Sequence, residues 1–264
     1  MQERKDLTMN EMKRLLSFVR RAVDDYNMIE DGDRIAVGIS GGKDSLTLLS
    51  ALAEMRRFYP KKYEVVAITV DMGFSRAGLG ECDFSEVKEL CRRLKVEYRI
   101  VPTDIANIIF NTRKEQSPCS LCAKMRRGAL HAAAKESGCN KVALGHHYDD
   151  AVETFMLNLF FEGRLGCFSP VSYLTRRDVT VIRPLLYARE SDVQYFTRRR
   201  SLPVVTSPCP EDHATEREKM KTLIKSLEKE NKGLSHRIFH AMCDAKLDGF
   251  RLAGRYPDAG ETED

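Results

Sequence analysis

The sequence reads as an α/β chain: a doubly wound, mainly parallel sheet with helices on both faces and a helical C-terminal extension. Three observations predict this. Short apolar runs alternate with amphipathic stretches along residues 35–206, the pattern of successive βαβ units. The first run, Ile35 to Ile39, leads straight into Ser40, Gly41, Gly42, Lys43, Asp44 and Ser45, a tight turn before a helix. Ser40, Asp71 and Gly145 each follow the carboxyl end of a run, where open α/β sheets bind their ligands.

Each element has its own signal. Thr8 and Glu11 stand at capping-box spacing and Met12, Leu15, Leu16, Val19 and Val23 repeat at helical intervals, so an amphipathic helix is expected over 8–28. A buried strand over 35–39 is followed by a helix over 45–57, a strand over 64–70 and a helix over 84–94. The alternation continues with a strand over 98–101, a helix over 120–136, a strand over 141–144 and a helix over 149–161. A short strand over 179–182, a helix over 190–199 and an extended stretch over 204–206 complete it. From about residue 214 the chain is highly charged and helix-prone, with a last helix over 234–247. The expected organisation is an N-terminal helix (1–30), an α/β domain (31–210), a helical C-terminal subdomain (211–254) and a disordered acidic tail (255–264).

The 264 residues suffice to bury a full core. The net charge of +4, from 43 basic against 39 acidic residues, does not demand nucleic acid but leaves room for a local basic face. The charged start, Met1 to Asp6, lacks an apolar signal core. No apolar run approaches the ~20 residues of a membrane-spanning helix. Eight cysteines in such a chain fit a reducing, cytoplasmic compartment.

The turn at 40–45 has the build of a phosphate cradle. Gly41 and Gly42 can take positive φ and bring the backbone close to an anion. The free N–H groups of the following helix favour negative charge, and Ser40, Lys43 and Ser45 add side-chain donors. It is not a Walker A loop: Ala36 stands where the first glycine of that motif belongs, and Asp44 follows Lys43.

Cys119 and Cys122 open a helix after Pro118, a position that favours thiolates. Cys209, between Pro208 and Pro210, is a third candidate ligand. Three thiolates can hold three irons of a [4Fe–4S] cluster, while His213, four residues after Cys209, would complete a Cys3His zinc site. The residue types alone leave both open. Cys82, Cys91, Cys139, Cys167 and Cys243 lack ligand-like spacing and read as buried small hydrophobes.

The order Ser40 to Ser45, then Cys119-Ser-Leu-Cys122-Ala-Lys-Met-Arg-Arg-Gly128, then Leu144-Gly-His-His-Tyr-Asp-Asp150, Ile182-Arg-Pro-Leu185 and Cys209 resembles the tRNA 2-thiocytidine synthetase branch of the PP-loop ATP pyrophosphatase superfamily, over residues 10–250. The resemblance implies the adenine nucleotide alpha hydrolase-like fold and an ATP- and magnesium-dependent tRNA thiolation that exchanges the 2-oxo group of a pyrimidine, cytidine 32, for sulfur. It implies that Cys119, Cys122 and Cys209 ligate a [4Fe–4S] cluster and that Arg126 and Asp150 are catalytic. Pro208 and Pro210 flank Cys209 alone, where the best-known relatives carry a further cysteine. No CxxC pair lies near either end, unlike the 2-thiouridine enzymes with terminal zinc modules.

The chemistry this implies has a physical logic. Adenylation by ATP converts a poor oxygen leaving group into AMP, with the pyrophosphate held by residues 40–45. Asp44, Asp71 and Asp150 are candidates for magnesium or for positioning, and Gly145 and His146 border the nucleotide. Of His146 and His147, one is expected to face the nucleotide and the other to pack or meet solvent. Lys124, Arg126, Arg127, Arg176, Arg177 and Arg198 to Arg200 are candidate phosphate contacts for a single-stranded tRNA loop. The sulfur would come from a cysteine desulfurase or free sulfide, and a homodimer is compatible with the sequence. A PP-loop ligase or amidase that adenylates a small molecule, with structural zinc at the cysteines, is the alternative.

Overall fold

The computed structural model describes residues 2–113, 118–211 and 216–251, with side chains from residue 13 onward. Helix α1 (Gln2–Asp25) leads into strand β1 (Asp33–Ile39), helix α2 (Lys43–Met55), strand β2 (Tyr63–Asp71), helix α3 (Ser85–Leu94) and strand β3 (Glu97–Pro102). A π-helical stretch (Asn107–Arg113) precedes α4 (Pro118–Glu136), β4 (Lys141–Ala143) and α5 (Tyr148–Phe161). Then come β5 (Val171–Leu174), β6 (Val179–Ile182), α6 (Glu190–Arg199), α7 (Glu216–Glu230) and α8 (Leu234–Asp244). No helix among the described residues is long and apolar enough to cross a membrane.

The six strands lie in the order β3-β2-β1-β4-β6-β5, all pairs parallel except β5 with β6. The chain runs outward from β1 through β2 to β3, then returns to the other side of β1 with β4. That reversal is a topological switch point, and it opens a crevice beyond the carboxyl ends of β1 and β4.

Strand alternation divides the core. Ile35, Val37 and Ile39 face one apolar cluster with α1, α2 and α6, while Ala36, Val66, Ile68 and Val70 face the other with Leu130, Ala133 and Ala134 of α4. Gly38 lies on the α4 side, where an added Cβ would come within 2.7 Å of Leu130 Cδ2. A glycine there lets α4 approach the strand closely. Met220 and Ile224 of α7 and Phe239 and Met242 of α8 enter the first cluster, so the C-terminal helices share its core.

At the far end of the same strands, Lys141 at the start of β4 donates to Asp33 at the start of β1 over 2.7 Å. Asp33 is 3% exposed and also accepts from Glu30 N and Asn140 Nδ2. Lys141→Met should therefore cost about 3–5 kcal/mol, because it strands a buried carboxylate. Urea unfolding measures this, and an unchanged midpoint would refute it.

Several expectations are corrected. α1 already begins at Gln2, so Thr8 lies inside the helix and is not its cap. α2 starts at Lys43, not residue 45, with Gly42 as its N-cap. Residues 204–206 join no strand: Val205 N instead donates to Gly41 O over 3.0 Å, laying this segment across the phosphate turn. The last helix ends at Asp244 because Lys246 takes a left-handed φ of 49°, and a 3-10 turn (Leu247–Gly249) follows. The π-helical stretch and β5 carried no readable period. β5 is a four-residue antiparallel edge strand, too short to show alternation. Residues 255–264 and His213 lie outside the described residues.

Candidate nucleotide and thiol site

The turn after β1 is held closed by its own serines. Ser45 Oγ donates to Gly42 O over 2.9 Å and accepts from Ser40 N over 3.2 Å, while Gly42 N donates to Ser40 Oγ. Gly41 takes a φ of +85°, and a Cβ there would meet Val205 Cβ at 2.9 Å. Gly42 has a φ of −74°. Only one of the two glycines thus needs the left-handed region. Gly145 serves close approach: its Cβ would lie 3.0 Å from the backbone carbon of Asp44.

A cleft of about 400 Å³ opens at the switch point. Ser40, Asp44 and Ser45 form one wall, Ile68 and Val70 of β2 the apolar floor, and Gly145, His146 and Asp150 the opposite wall. Arg126, Arg127 and Leu130 of α4 close it. Asp71 is not among these residues. Its carboxylate accepts from Gly73 N and pairs with Arg76 at 3.3 Å, and it lines a neighbouring cavity with Cys82 and Phe84.

The two histidines separate. His146 borders the cleft, stacks on Phe168 at 4.8 Å and accepts at Nδ1 from Arg183 Nε over 3.3 Å. Burial and the adjacent Arg183 lower its pKa to about 4, so at neutral pH the ring is uncharged with its proton on Nε2. Burial also brings Arg183 down to about 10. His147 is buried and caps α5, accepting from Asp150 N at Nδ1, while its own N–H donates to Asp150 Oδ2 over 2.9 Å.

The paired aspartates likewise take separate partners. Asp149 accepts from Glu190 N over 2.6 Å, fastening the start of α6. Asp150 Oδ1 lies 3.3 Å from Arg217 of α7, which also reaches Glu153 at 3.4 Å and Thr154 at 3.0 Å. Sequence reasoning missed Arg217, since it sits in a charged run that reads as a solvated face; only the packing of α7 against α5 gives it a target. Arg183 of the Ile182-Arg-Pro-Leu185 segment is a second such residue, given its role only by its contact with His146.

Glu153 is buried, and desolvation with the nearby Asp150 charge raises its carboxyl to about 7 against the pull of Arg217. Its folded pKa exceeds the ordinary 4.5, so its contribution to stability is complete below pH 4.5 and is lost as pH rises through about 7. Glu153→Gln cannot ionise. Relative to the parent it should therefore gain stability between pH 4.5 and pH 8, and parallel urea-unfolding curves at the two values would contradict this.

Two of the candidate thiols open the helix whose next turns line this cleft. α4 begins with Cys119 and Cys122 and carries Arg126 one turn beyond Cys122. Burial pushes the Cys122 thiol up, neighbouring Cys209 and Cys119 push it further, and Arg126 opposes them. Cys122 and Cys209 pack on the same apolar cluster. None of the eight cysteines forms a disulfide. Among the described residues no three His, Cys, Asp or Glu side chains stand as an assembled metal-ion site. What is present is a set of three neighbouring soft donors, the chemistry that suits iron–sulfur ligation. For a hard cation the matching feature is Asp44 Oδ1, which is buried at the cleft, accepts no hydrogen bond and has the Lys43 ammonium 3.2 Å away.

The basic candidates also divide. Lys124, Arg126 and Arg127 are exposed on α4, the last two at the cleft. Arg198 to Arg200 close α6, whose first residue, Glu190, lies beside Lys43. A ten-residue helix carries them ~15 Å away, and Arg200 pairs there with Glu54 of α2.

Residues 10–227 match the PP-loop domain family. The chain belongs to the PP-loop family. Within it, this PP-loop protein is 43% identical over 239 residues to a protein named tRNA-cytidine(32) 2-sulfurtransferase in Geotalea daltonii, covering 89% of this chain and 92% of that one. A Geobacter sulfurreducens protein of the same name is 41% identical over 235 residues, covering 87% and 89%. Among solved structures, the U34-tRNA thiolase NcsA from Methanococcus maripaludis with its [4Fe-4S] cluster superposes with a TM-score of 0.74 at 26% identity, covering 97% of this chain and 86% of that one.

Proposed function

We propose that this PP-loop protein is an ATP-dependent tRNA sulfurtransferase that adenylates the 2-oxo group of a tRNA pyrimidine, cytidine 32, and replaces the oxygen with sulfur. The observation that carries the reading is the course of α4: its first turn bears Cys119 and Cys122 and its next turns line the nucleotide cleft through Arg126 and Arg127. One rigid element thereby joins a thiol cluster to a phosphate cradle. The names of the two sulfurtransferases support cytidine 32 as the substrate, and that of the cluster-bearing U34-tRNA thiolase supports tRNA thiolation with a [4Fe–4S] cluster.

In this reading the pyrimidine O2 attacks the α-phosphorus of ATP and pyrophosphate leaves. The N–H groups that open α2, with Ser40 and Lys43, hold the departing pyrophosphate. Arg126 faces the charge on the α-phosphate, and neutral His146 offers its Nε2–H to an oxygen in the cleft without adding charge. Asp44 is the residue suited to hold magnesium, and Asp150 positions the reacting groups through its ties to Arg217 and His147. A sulfur nucleophile then adds at C2 and AMP leaves, so that C=O becomes C=S. Cys119, Cys122 and Cys209 would hold a [4Fe–4S] cluster, which supplies one open iron to carry that sulfur. The donor would be a cysteine desulfurase or sulfide, in the cytoplasm.

Mass spectrometry of tRNA nucleosides from cells with and without the gene tests the proposal. Loss of 2-thiocytidine on deletion is the expected result. An unchanged nucleoside profile, or colourless zinc-loaded protein after anaerobic purification, would overturn it.

A further inference from the structure

α7 sends two side chains from one face toward the starts of α5 and α6. Arg217 reaches Asp150, and Lys221, one turn later, reaches Glu190 at the start of α6. The second contact involves the phosphate loop itself. Lys221 Nζ donates to Glu190 Oε1 over 2.7 Å, and the same oxygen lies 3.4 Å from Lys43 Nζ. Two ammonium groups therefore compete for one carboxylate oxygen.

We infer that Lys221 is a positioning residue for the phosphate loop: by taking up the charge of Glu190 it leaves Lys43 available to the pyrophosphate of ATP. The inference rests on the reading that residues 40–45 bind ATP.

The geometry favours Lys221 as the dominant partner. Its contact is the shorter by 0.7 Å and has hydrogen-bond length, whereas Lys43 is held more loosely between Glu190 and Asp44, 3.2 Å away. The backbone of Glu190 is held by its N–H bond to Asp149 Oδ2, which keeps its carboxylate within side-chain reach of both lysines. Its side chain is only 12% exposed, so water screens these charges poorly. Burial alone would raise the Glu190 carboxyl, but the Lys221 hydrogen bond and charge, followed by the charge of Lys43, hold it at about 2.

The electrostatic consequence is local. Two lysines balance the carboxylates of Glu190 and Asp44 beside the pyrophosphate position. Without Lys221 the set carries one net negative charge, and Lys43 becomes the only lysine shared by both carboxylates.

Equilibrium binding of α,β-methylene-ATP with magnesium to the full-length protein tests this without requiring turnover. Lys221→Met should weaken binding about tenfold, equivalent to ~1.4 kcal/mol, whereas Lys221→Arg, which keeps the charge, should stay within about twofold. In the double variant Glu190→Gln/Lys221→Met only Asp44 is left to pair with Lys43, the parent's charge balance is restored, and most of the affinity should return. A Lys221→Met protein that binds like the parent would overturn the inference, as would a loss that the double variant fails to relieve, since a merely structural α7 contact predicts no such rescue. Should Lys221→Met not fold, Glu190→Gln alone decides: it is expected to bind at least as tightly as the parent, and tenfold weaker binding would sink the idea. An unmodified chain that binds no analogue would overturn the ATP reading, and this inference with it.

Discussion

Cys209→Ala protein should bind ATP as the parent does yet form no thiolated nucleoside above background. Cys209 is separated from Cys122 by 87 residues of sequence, but the fold brings the two close enough for one to raise the other's pKa. The segment that carries it also touches the phosphate turn, through Val205 and not through Cys209. Removing one half-buried thiol leaves that hydrogen bond and the Ser40–Ser45 closure intact. With the cluster absent from both, thermal unfolding should shift little, since a half-buried thiol at the edge of an apolar cluster contributes about 1 kcal/mol or less. The thiol set, in contrast, falls from three donors to two, and two cannot hold a cluster with a single open iron. Iron content and thiolated nucleoside are the measurements. Full thiolation by this variant would remove Cys209 from the ligand set and with it the sulfur half of the proposal.

The nucleotide half was legible because its signals are local. An apolar strand, a glycine turn and a helix start are adjacent in sequence, and the parallel sheet follows from their repetition. Even so, pattern alone does not tell which of two adjacent glycines turns left-handed: Gly41 does, because Val205 packs where its Cβ would be. The same holds for His146 and His147, whose roles part only when Arg183 and Phe168 arrive from a distant loop and strand end. Asp71 shows the converse. It sits at a strand end, as the sheet rule requires, yet its own turn and Arg76 claim the carboxylate. Arg217 and Lys221 were illegible for a different reason. A charged helix has many lysines and arginines, and only tertiary packing decides which of them meets a buried acid.

Arg126→Ala should slow tRNA-stimulated AMP formation by about a hundredfold while leaving the fold intact. The side chain is exposed and lines the cleft, so truncation sacrifices little packing. In the proposed reaction it removes a guanidinium that lines the cleft where negative charge builds on the α-phosphate, and loss of one such donor costs ~10²–10³ in rate. Because the proposal gives the pyrophosphate end to Ser40 to Ser45, the deficit should fall on kcat more than on the KM for ATP. Arg126→Lys should recover part of the rate by restoring charge, but not all, since an ammonium lacks the planar fork that matches two phosphate oxygens. The same position, one helical turn from Cys122, makes a second readout available: Arg126 holds the Cys122 pKa down, so its removal should shift alkylation of that thiol to higher pH. Undiminished AMP formation by Arg126→Ala would show that α4 contributes thiols to the reaction but no charge. The coupling of phosphate cradle and thiol cluster through one helix would then have to be abandoned.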